Sequence, residues 1–204
     1  MKIVVLVPFY NESRNLEAME SLIKNLNHNE INFKFIFCND NSSDDTEVFL
    51  SKFLDSNSFD YEIITNSRNL GHGGSLISLS RLDLLESFDY VLTLDFDFSY
   101  LEEDLNSFFN FAEKNIILIG KRRFLDEGIF RQIITTASEF IIFLKTFSLF
   151  SDTNCPIRLY PSDLFIKTWK QIPEGILIPN IFSTFIIIKE QYSIKRIDIN
   201  KNDL

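Results

Sequence analysis

The chain has 204 residues, 29 acidic against 20 basic, and its net charge of −9 argues against a general nucleic-acid binder. A hydrophobic content of 45% fits one α/β domain with a single well-buried core, and no run of about 18 uncharged apolar residues is present to span a bilayer. Two cysteines are too few for a disulfide framework, and Lys2 leads straight into a strand, which does not read as a signal peptide.

The first predicted element is a strand from Lys2 to Val7, apolar without alternation, as in a parallel sheet covered on both faces. Pro8 cannot donate to a ladder and is expected to end it. In the loop Pro8-Phe9-Tyr10-Asn11-Glu12-Ser13, Asn11 or Ser13 is placed to cap a helix from about Asn15 to Leu26. A second apolar strand, Phe33 to Cys38, runs into Asn39-Asp40-Asn41-Ser42-Ser43-Asp44-Asp45-Thr46, a segment rich in turn and cap residues, and a helix follows to about Leu54. Cys38, at the end of a buried strand, reads as a small core residue. A third strand, Tyr61 to Thr65, leads through Arg68-Asn69-Leu70-Gly71-His72-Gly73-Gly74-Ser75 into a helix reaching about Ser87. The fourth, Tyr90 to Leu94, stops at Asp95-Phe96-Asp97. Strand, polar loop and helix thus repeat three times, which predicts a parallel α/β sheet with ligands at the carboxyl ends of its strands.

Asp95 and Asp97 carry the strongest chemical signal. In extended chain, residues two apart point the same way. Two like charges so placed repel and lose hydration. A hard divalent cation such as Mg²⁺ relieves both problems, and it favours one or two carboxylates together with phosphate oxygens. A solvated strand exit has the same pattern, so the surrounding loops decide.

Gly71, Gly73 and Gly74 form a glycine-rich turn that lets backbone N–H groups approach phosphate, or merely permits positive φ. It is neither a dinucleotide fingerprint, because Ser75 and Leu76 follow, nor a P-loop, because no Gly-Lys-Ser/Thr occurs. His72 has no partner nearby in sequence and reads as structural or weakly ligand-facing. Arg122, Arg123 and Arg131 are candidate phosphate forks, with a solvated basic surface as the other reading. The stretch from Ile129 to Phe150 is rich in Ile, Phe and Leu but broken by Arg131, Glu139 and Lys145. Those charges argue against a membrane span and leave an interfacial helix, the mouth of an acceptor groove, or a helix packed on the sheet. Trp169 reads as a packing residue, and the abundance of Phe as coding bias rather than chemistry.

The ordered set Val7-Pro8-Phe9-Tyr10-Asn11-Glu12, Asn39 to Thr46, Arg68 to Ser75 and Asp95-Phe96-Asp97 resembles the family 2 glycosyltransferases of the GT-A fold. Within them it is most similar to the dolichyl-phosphate mannosyltransferase and polyprenyl-phosphate sugar transferase branch. Ile119-Gly120-Lys121-Arg122 is similar to that family's Gly-Ser-Arg segment. Asp152-Thr153-Asn154-Cys155-Pro156-Ile157-Arg158-Leu159 is similar to its Asp-x-x-Cys-Gly-Phe-Arg/Lys-Leu segment. Asn39 stands where the family often has Asp.

The resemblance implies one GT-A catalytic domain over residues 1–204, short at its carboxyl end. It implies a metal-dependent, inverting transferase with Mg²⁺ or Mn²⁺ at Asp95 and Asp97. The donor would be a UDP- or GDP-sugar, and the acceptor a polyprenyl phosphate, or a saccharide hydroxyl of a glycan as the alternative. Pro8, Tyr10, Asn11, Glu12, Asp40, Gly71, Gly73, Gly74, Asp95, Arg131 and Arg158 are expected to contact the nucleotide sugar or its phosphates. Asp97, Asp152 and Arg122 are expected to serve catalysis. Asp152 would be a base for a hydroxyl acceptor, or an orienting residue for an acceptor already ionised. In that branch, the lipid phosphate is met by positions matching Arg122, Arg131 and Thr135. The expected location is the cytoplasm, with peripheral contact at the inner face of the membrane. A nucleotidyltransferase would want a glycine-rich, basic first loop, which this chain lacks. The third reading is an inactive nucleotide-binding or scaffold domain.

Overall fold

A computed structural model describes residues 1–26, 31–97, 102–122 and 129–200, with side chains except at 102–103, 129–135 and 138. Its strands are β1 (Lys2–Phe9), β2 (Asn32–Asn39), β3 (Tyr61–Thr65), β4 (Tyr90–Thr93), β5 (Ile116–Arg122), β6 (Arg158–Pro161) and β7 (Ser193–Ile199). They form one sheet in the order β3-β2-β1-β4-β6-β5-β7. Every pairing is parallel except those of β6, which runs antiparallel to β4 and β5. The helices are α1 (Leu16–Asn25), α2 (Thr46–Ser56), α3 (Gly71–Leu79), α4 (Glu102–Asn110), α5 (Ile129–Thr146), α6 (Ser162–Trp169) and α7 (Pro179–Lys189). The chain is the mostly parallel α/β sheet with flanking helices that its strand–loop–helix repeat predicts.

The central strand β1 shows why. Ile3 to Val7 are all fully buried, so both faces of the strand are covered. Each such side chain contributes about 1.5–3 kcal/mol relative to exposure. β1 runs on through Pro8 to Phe9, where the sequence predicts a stop at Pro8. Leu6 turns its carbonyl toward β4, accepting the Leu94 N–H at 3.1 Å. Pro8 faces the same way two residues on, beyond the β4 ladder that ends at Thr93, so its missing donor leaves no gap in pairing.

Five of the 22 Phe form one ladder through the sheet. Phe33, Phe35 and Phe37 lie along one face of β2, with successive ring centroids 6.2 Å apart. Phe37 continues to Phe96 at 6.4 Å, and Phe96 to Phe9 at 5.4 Å. This ladder holds Phe96 in the core between two aspartates. Trp169 is buried and stacked on Phe165, as a packing residue should be.

The helix ends differ from the sequence reading. A short 3₁₀ turn, Ser13–Asn15, precedes α1, and neither Asn11 nor Ser13 caps it. α3 stops at Leu79 and a separate 3₁₀ turn covers Asp83–Ser87.

Candidate active site

The loops after β1, β2, β3 and β4 meet at a cavity of about 210 Å³. Pro8, Phe9, Tyr10, Glu12, Asp40, His72, Ser75, Asp95, Phe96 and Asp97 line it. The cavity therefore brings together six of the residues singled out from sequence, namely Pro8, Tyr10, Glu12, Asp40, Asp95 and Asp97. It does not include Asn11, Gly71, Gly73 or Gly74.

Asn11 instead stitches the β1 loop to the β2 loop. Its φ is +55°, a left-handed conformation that Asn tolerates. Its Oδ1 accepts from the N–H groups of Ser43 at 2.8 Å and Asp44 at 3.3 Å, and its own N–H donates to Ser42 Oγ at 3.0 Å. Glu12 N–H donates to Thr46 Oγ1 at 2.9 Å, and Ser13 N–H to Asp44 Oδ2 at 3.2 Å. Slight desolvation pushes the Asp44 carboxyl up, but hydrogen bonds from Thr46 and Ser13 outweigh it and hold the group below the usual carboxylate range. That contribution to stability is present above the ordinary Asp pKa and is lost as pH falls through the lowered value. Asn39 donates through Nδ2 to Glu47 and accepts Ser42 N–H at 2.8 Å. An ionised Asp could not donate to Glu47, which accounts for the amide at this position.

Asp40 is buried at the end of β2 and braces the next loop. Its Oδ1 accepts from Asn66 Nδ2 and Leu70 N–H, and its Oδ2 from Gly71 N–H, each at 2.8 Å. A carboxylate has about four acceptor directions, and these three bonds leave one over.

The glycines answer to packing and backbone geometry. Gly71 has φ +75°. A Cβ on Gly73 would lie 2.4 Å from the Leu177 carbonyl oxygen and 2.7 Å from that of Ile176. A Cβ on Gly74 would lie 2.6 Å from Leu70 Cβ. Asp40 already holds the Leu70 and Gly71 N–H groups, and Gly73 is covered by the 176–177 backbone. Gly73→Ala is expected to destabilise the fold by about 1–3 kcal/mol, because backbone, unlike a flexible side chain, must move. Urea denaturation measures it, and an unchanged midpoint would show that the 176–177 segment yields freely.

Asp95 and Asp97 both line the cavity, with Phe96 buried between them. His72, which the sequence left without a partner, places Nε2 3.3 Å from Asp95 Oδ1. The two belong to different strand–helix units, and the available clue was that the α3 amino terminus and the β4 carboxyl end share one pole of a parallel sheet. The lining carries four carboxylates, Glu12, Asp40, Asp95 and Asp97, and His72 is its only basic side chain among the described residues. A diphosphate entering this field would be repelled. No group of three or more His, Cys, Asp or Glu able to hold a metal by itself occurs among the described residues. Two hard carboxylates completed by diphosphate oxygens suit Mg²⁺ or Mn²⁺ without a protein cage.

A second polar cluster sits at the carboxyl end of β5. Asp152 is fully buried, with φ +48°. Its Oδ2 accepts Arg122 N–H at 2.9 Å and Nε–H at 3.0 Å, and its Oδ1 accepts Arg122 Nη2–H at 2.6 Å. Its own N–H donates to Glu139 Oε1 at 2.7 Å. Arg196 donates to the carbonyls of Ser151 and Gly120 and lies over the Phe150 ring at 4.3 Å. The Arg122 fork therefore grips Asp152, where sequence reasoning turned it toward an acceptor phosphate. Asp152 is thus enclosed, held by Arg122 through its carboxylate and by Glu139 through its N–H. Arg158 is turned inward: it is fully buried, with Nε on the Cys155 carbonyl, Nη2 on the Thr153 carbonyl and Nη1 on Ser183 Oγ, so it supports β6, and it is not among the residues that line the acidic cavity. Arg131 and Thr135 lie on α5 with side chains outside the described set, and Arg123 lies outside the described residues.

Cys155 is packed under Gly120, and burial, with the Asp152 charge beside it, pushes its thiol up to about 12. Burial raises the Cys38 thiol as well. Neither forms much thiolate at pH 8, so a thiol-reactive dye should label the native protein negligibly and both cysteines once it is unfolded. Rapid native labelling would contradict these buried positions.

The sequence model of the family described as "Glycosyl transferase family 2" matches residues 4–169. The chain is 25% identical over 187 residues to an undecaprenyl-phosphate 4-deoxy-4-formamido-L-arabinose transferase of Proteus mirabilis, covering 90% of this chain and 56% of that protein. Two solved structures share the fold. One is S. aureus TarS 1-349 in complex with UDP-GlcNAc, with TM-score 0.64 and 18% identity, covering 100% of this chain and 57% of that one. The other is the mannosyltransferase PcManGT from Pyrobaculum calidifontis in complex with GDP-Man and Mn²⁺, with TM-score 0.68 and 14% identity, covering 98% and 56%. The chain thus spans a little over half the length of each.

Proposed function

This chain belongs to glycosyl transferase family 2, and we propose that it moves a sugar from a UDP- or GDP-sugar to a polyprenyl phosphate with inversion at the anomeric carbon. The observation that carries this reading is the acidic cavity at the carboxyl ends of β1, β2 and β4, with Asp95 and Asp97 presented on either side of the buried Phe96. Pro8 and Tyr10 form a wall for the base, and the remaining acceptor direction of Asp40 reads a base or ribose donor. Asp95 and Asp97 would hold a divalent cation, which would neutralise charge on the leaving diphosphate. His72 steadies Asp95 from the side.

In the reaction, an oxygen of the acceptor phosphate forms a bond to the anomeric carbon as the bond to the nucleoside diphosphate breaks. That oxygen is already ionised, so no proton has to be removed. The burial of Asp152 under Arg122 supports this acceptor over a saccharide hydroxyl, which would need an exposed base. The named activity of the Proteus mirabilis relative supports it as well. A lipid acceptor also fits the surface of α5 and the segment after it. Phe140, Ile141 and Leu144 are more than half exposed there, and Phe147 and Leu149 are 83% and 90% exposed. No helix among the described residues is long and apolar enough to cross a membrane, so the contact would be peripheral, at the inner face.

The test is direct. The protein is incubated with Mg²⁺ or Mn²⁺, a panel of UDP- and GDP-sugars, and a short-chain polyprenyl phosphate in detergent, and products are read by mass spectrometry. A glycosylated lipid phosphate is the expected product. Transfer to free saccharides alone would overturn the acceptor assignment.

A further inference from the structure

His72 is the second residue of α3, between two glycines whose surroundings fix where the helix begins. Gly71 turns the chain at φ +75°, and Asp40 accepts its N–H and that of Leu70, each at 2.8 Å. Gly73 lies against the backbone carbonyls of Ile176 and Leu177, with no room for a Cβ. The first turn of α3 is thus tied to β2 just before His72 and packed on the 176–177 backbone just after it. What this framework presents to the acidic cavity is the His72 imidazole. Its side chain is 48% exposed, and its Nε2 lies 3.3 Å from Asp95 Oδ1.

The charge of the cavity gives that placement a meaning. Glu12, Asp40, Asp95 and Asp97 line it. A divalent cation at Asp95 and Asp97 offsets those two carboxylates and has no charge left over for a diphosphate, which is itself an anion. A donor besides the cation is therefore needed. Two arginines that the sequence offers for phosphate are committed elsewhere. Arg122 grips Asp152, and Arg158 is enclosed by Thr153, Cys155 and Ser183. Among the described residues, His72 is the one basic side chain that lines the cavity, and it stands beside one of the two aspartates. A neutral imidazole donates through one ring nitrogen, so it can meet a phosphate oxygen without a change of protonation.

We propose that His72 is a diphosphate-binding residue. Its ring N–H passes from Asp95 to an oxygen of the terminal phosphate of a nucleoside diphosphate when a cation takes up Asp95. This inference rests on the nucleotide-sugar reading of the cavity and adds to it a residue that the sequence leaves without a chemical partner. The contact strengthens as charge gathers on the leaving diphosphate, so it serves the transfer step as well as binding. A nucleoside monophosphate lacks the phosphate concerned and makes no such contact.

The test is titration by isothermal calorimetry of UDP, GDP, UMP and GMP into the whole chain at saturating Mn²⁺, as parent, His72→Ala and His72→Gln. The side chain is half exposed, so neither substitution empties a buried site. In His72→Ala, the diphosphate that the parent binds should bind about tenfold or more weakly, the cost of a lost hydrogen bond to a charged group. Binding of the matching monophosphate should change little. His72→Gln keeps an N–H donor of similar reach and should recover most of the affinity. A residue that merely steadied Asp95 would behave differently. Its loss would raise the Mn²⁺ concentration required, and saturating Mn²⁺ would restore diphosphate binding in full. Such full restoration, an equal loss for mono- and diphosphate, or a Gln variant as weak as the Ala variant would overturn the proposal while leaving the nucleotide site in place. Failure of the parent itself to bind either diphosphate would overturn the nucleotide reading and this inference with it.

Discussion

Asp97→Asn is expected to remove the cation-dependent part of nucleotide binding while leaving the fold intact. Asp97 is exposed at the cavity mouth, so its substitution leaves no buried charge behind. In the parent protein, UDP or GDP at about 100 times its dissociation constant should add about 2.7 kcal/mol of stability. That gain should shrink when EDTA replaces Mg²⁺ or Mn²⁺. In Asp97→Asn the melting curves with cation and with EDTA should coincide. Turnover should fall by about 10²–10³, the usual loss when a stabiliser of developing charge is removed. A variant that keeps its full response to the cation would take Asp97 out of the site.

Breaking the Arg122–Asp152 pair should give the largest stability effect. Both side chains are buried, and the guanidinium meets the carboxylate twice, at 3.0 and 2.6 Å. Removing either partner strands the other charge in the core, which costs about 3–5 kcal/mol. Arg122→Ala and Asp152→Ala should therefore lower the urea midpoint sharply, each by about that free energy. Asp152→Asn should cost less, because Asn tolerates the positive φ at this position and keeps one acceptor oxygen. It also separates two roles. A general base replaced by an amide loses about 10²–10⁴ in rate with stability nearly unchanged. An orienting residue loses stability first, and rate only as the Ser151–Thr153 backbone shifts. The burial of Asp152 predicts the second pattern. The first pattern would put a hydroxyl acceptor back in its place.

What could be read without coordinates was local. Ile3 to Val7 announce a doubly covered strand because no polar residue interrupts them, and the spacing of two in Asp95-Phe96-Asp97 announces two carboxylates that line one cavity with Phe96 buried between them. Loop residues around Asp40 could be placed at the correct pole from the strand–loop–helix repeat alone. What the sequence leaves out is tertiary. Arg158 looks like a ligand-binding arginine in sequence, but it is enclosed by carbonyls and hydroxyls brought from Thr153, Cys155 and Ser183. Gly73 looks like a phosphate glycine, yet the close contact it serves is with the 176–177 backbone. The Phe33–Phe35–Phe37–Phe96–Phe9 ladder was dismissed as composition, because only folding reveals that β2 and the β4 exit share a face. His72 gained its partner Asp95 in the same way.

Titration of UDP and of GDP into the protein by isothermal calorimetry, in Mg²⁺, in Mn²⁺ and in EDTA, bears most directly on the acidic nucleotide cavity. One of the two nucleotides should bind at least tenfold more tightly with a cation than with EDTA, and the difference should vanish when Asp95 and Asp97 are both changed to Asn. Binding of equal strength in EDTA, or a cation effect that survives the double substitution, would contradict a cation-bridged diphosphate at these two aspartates.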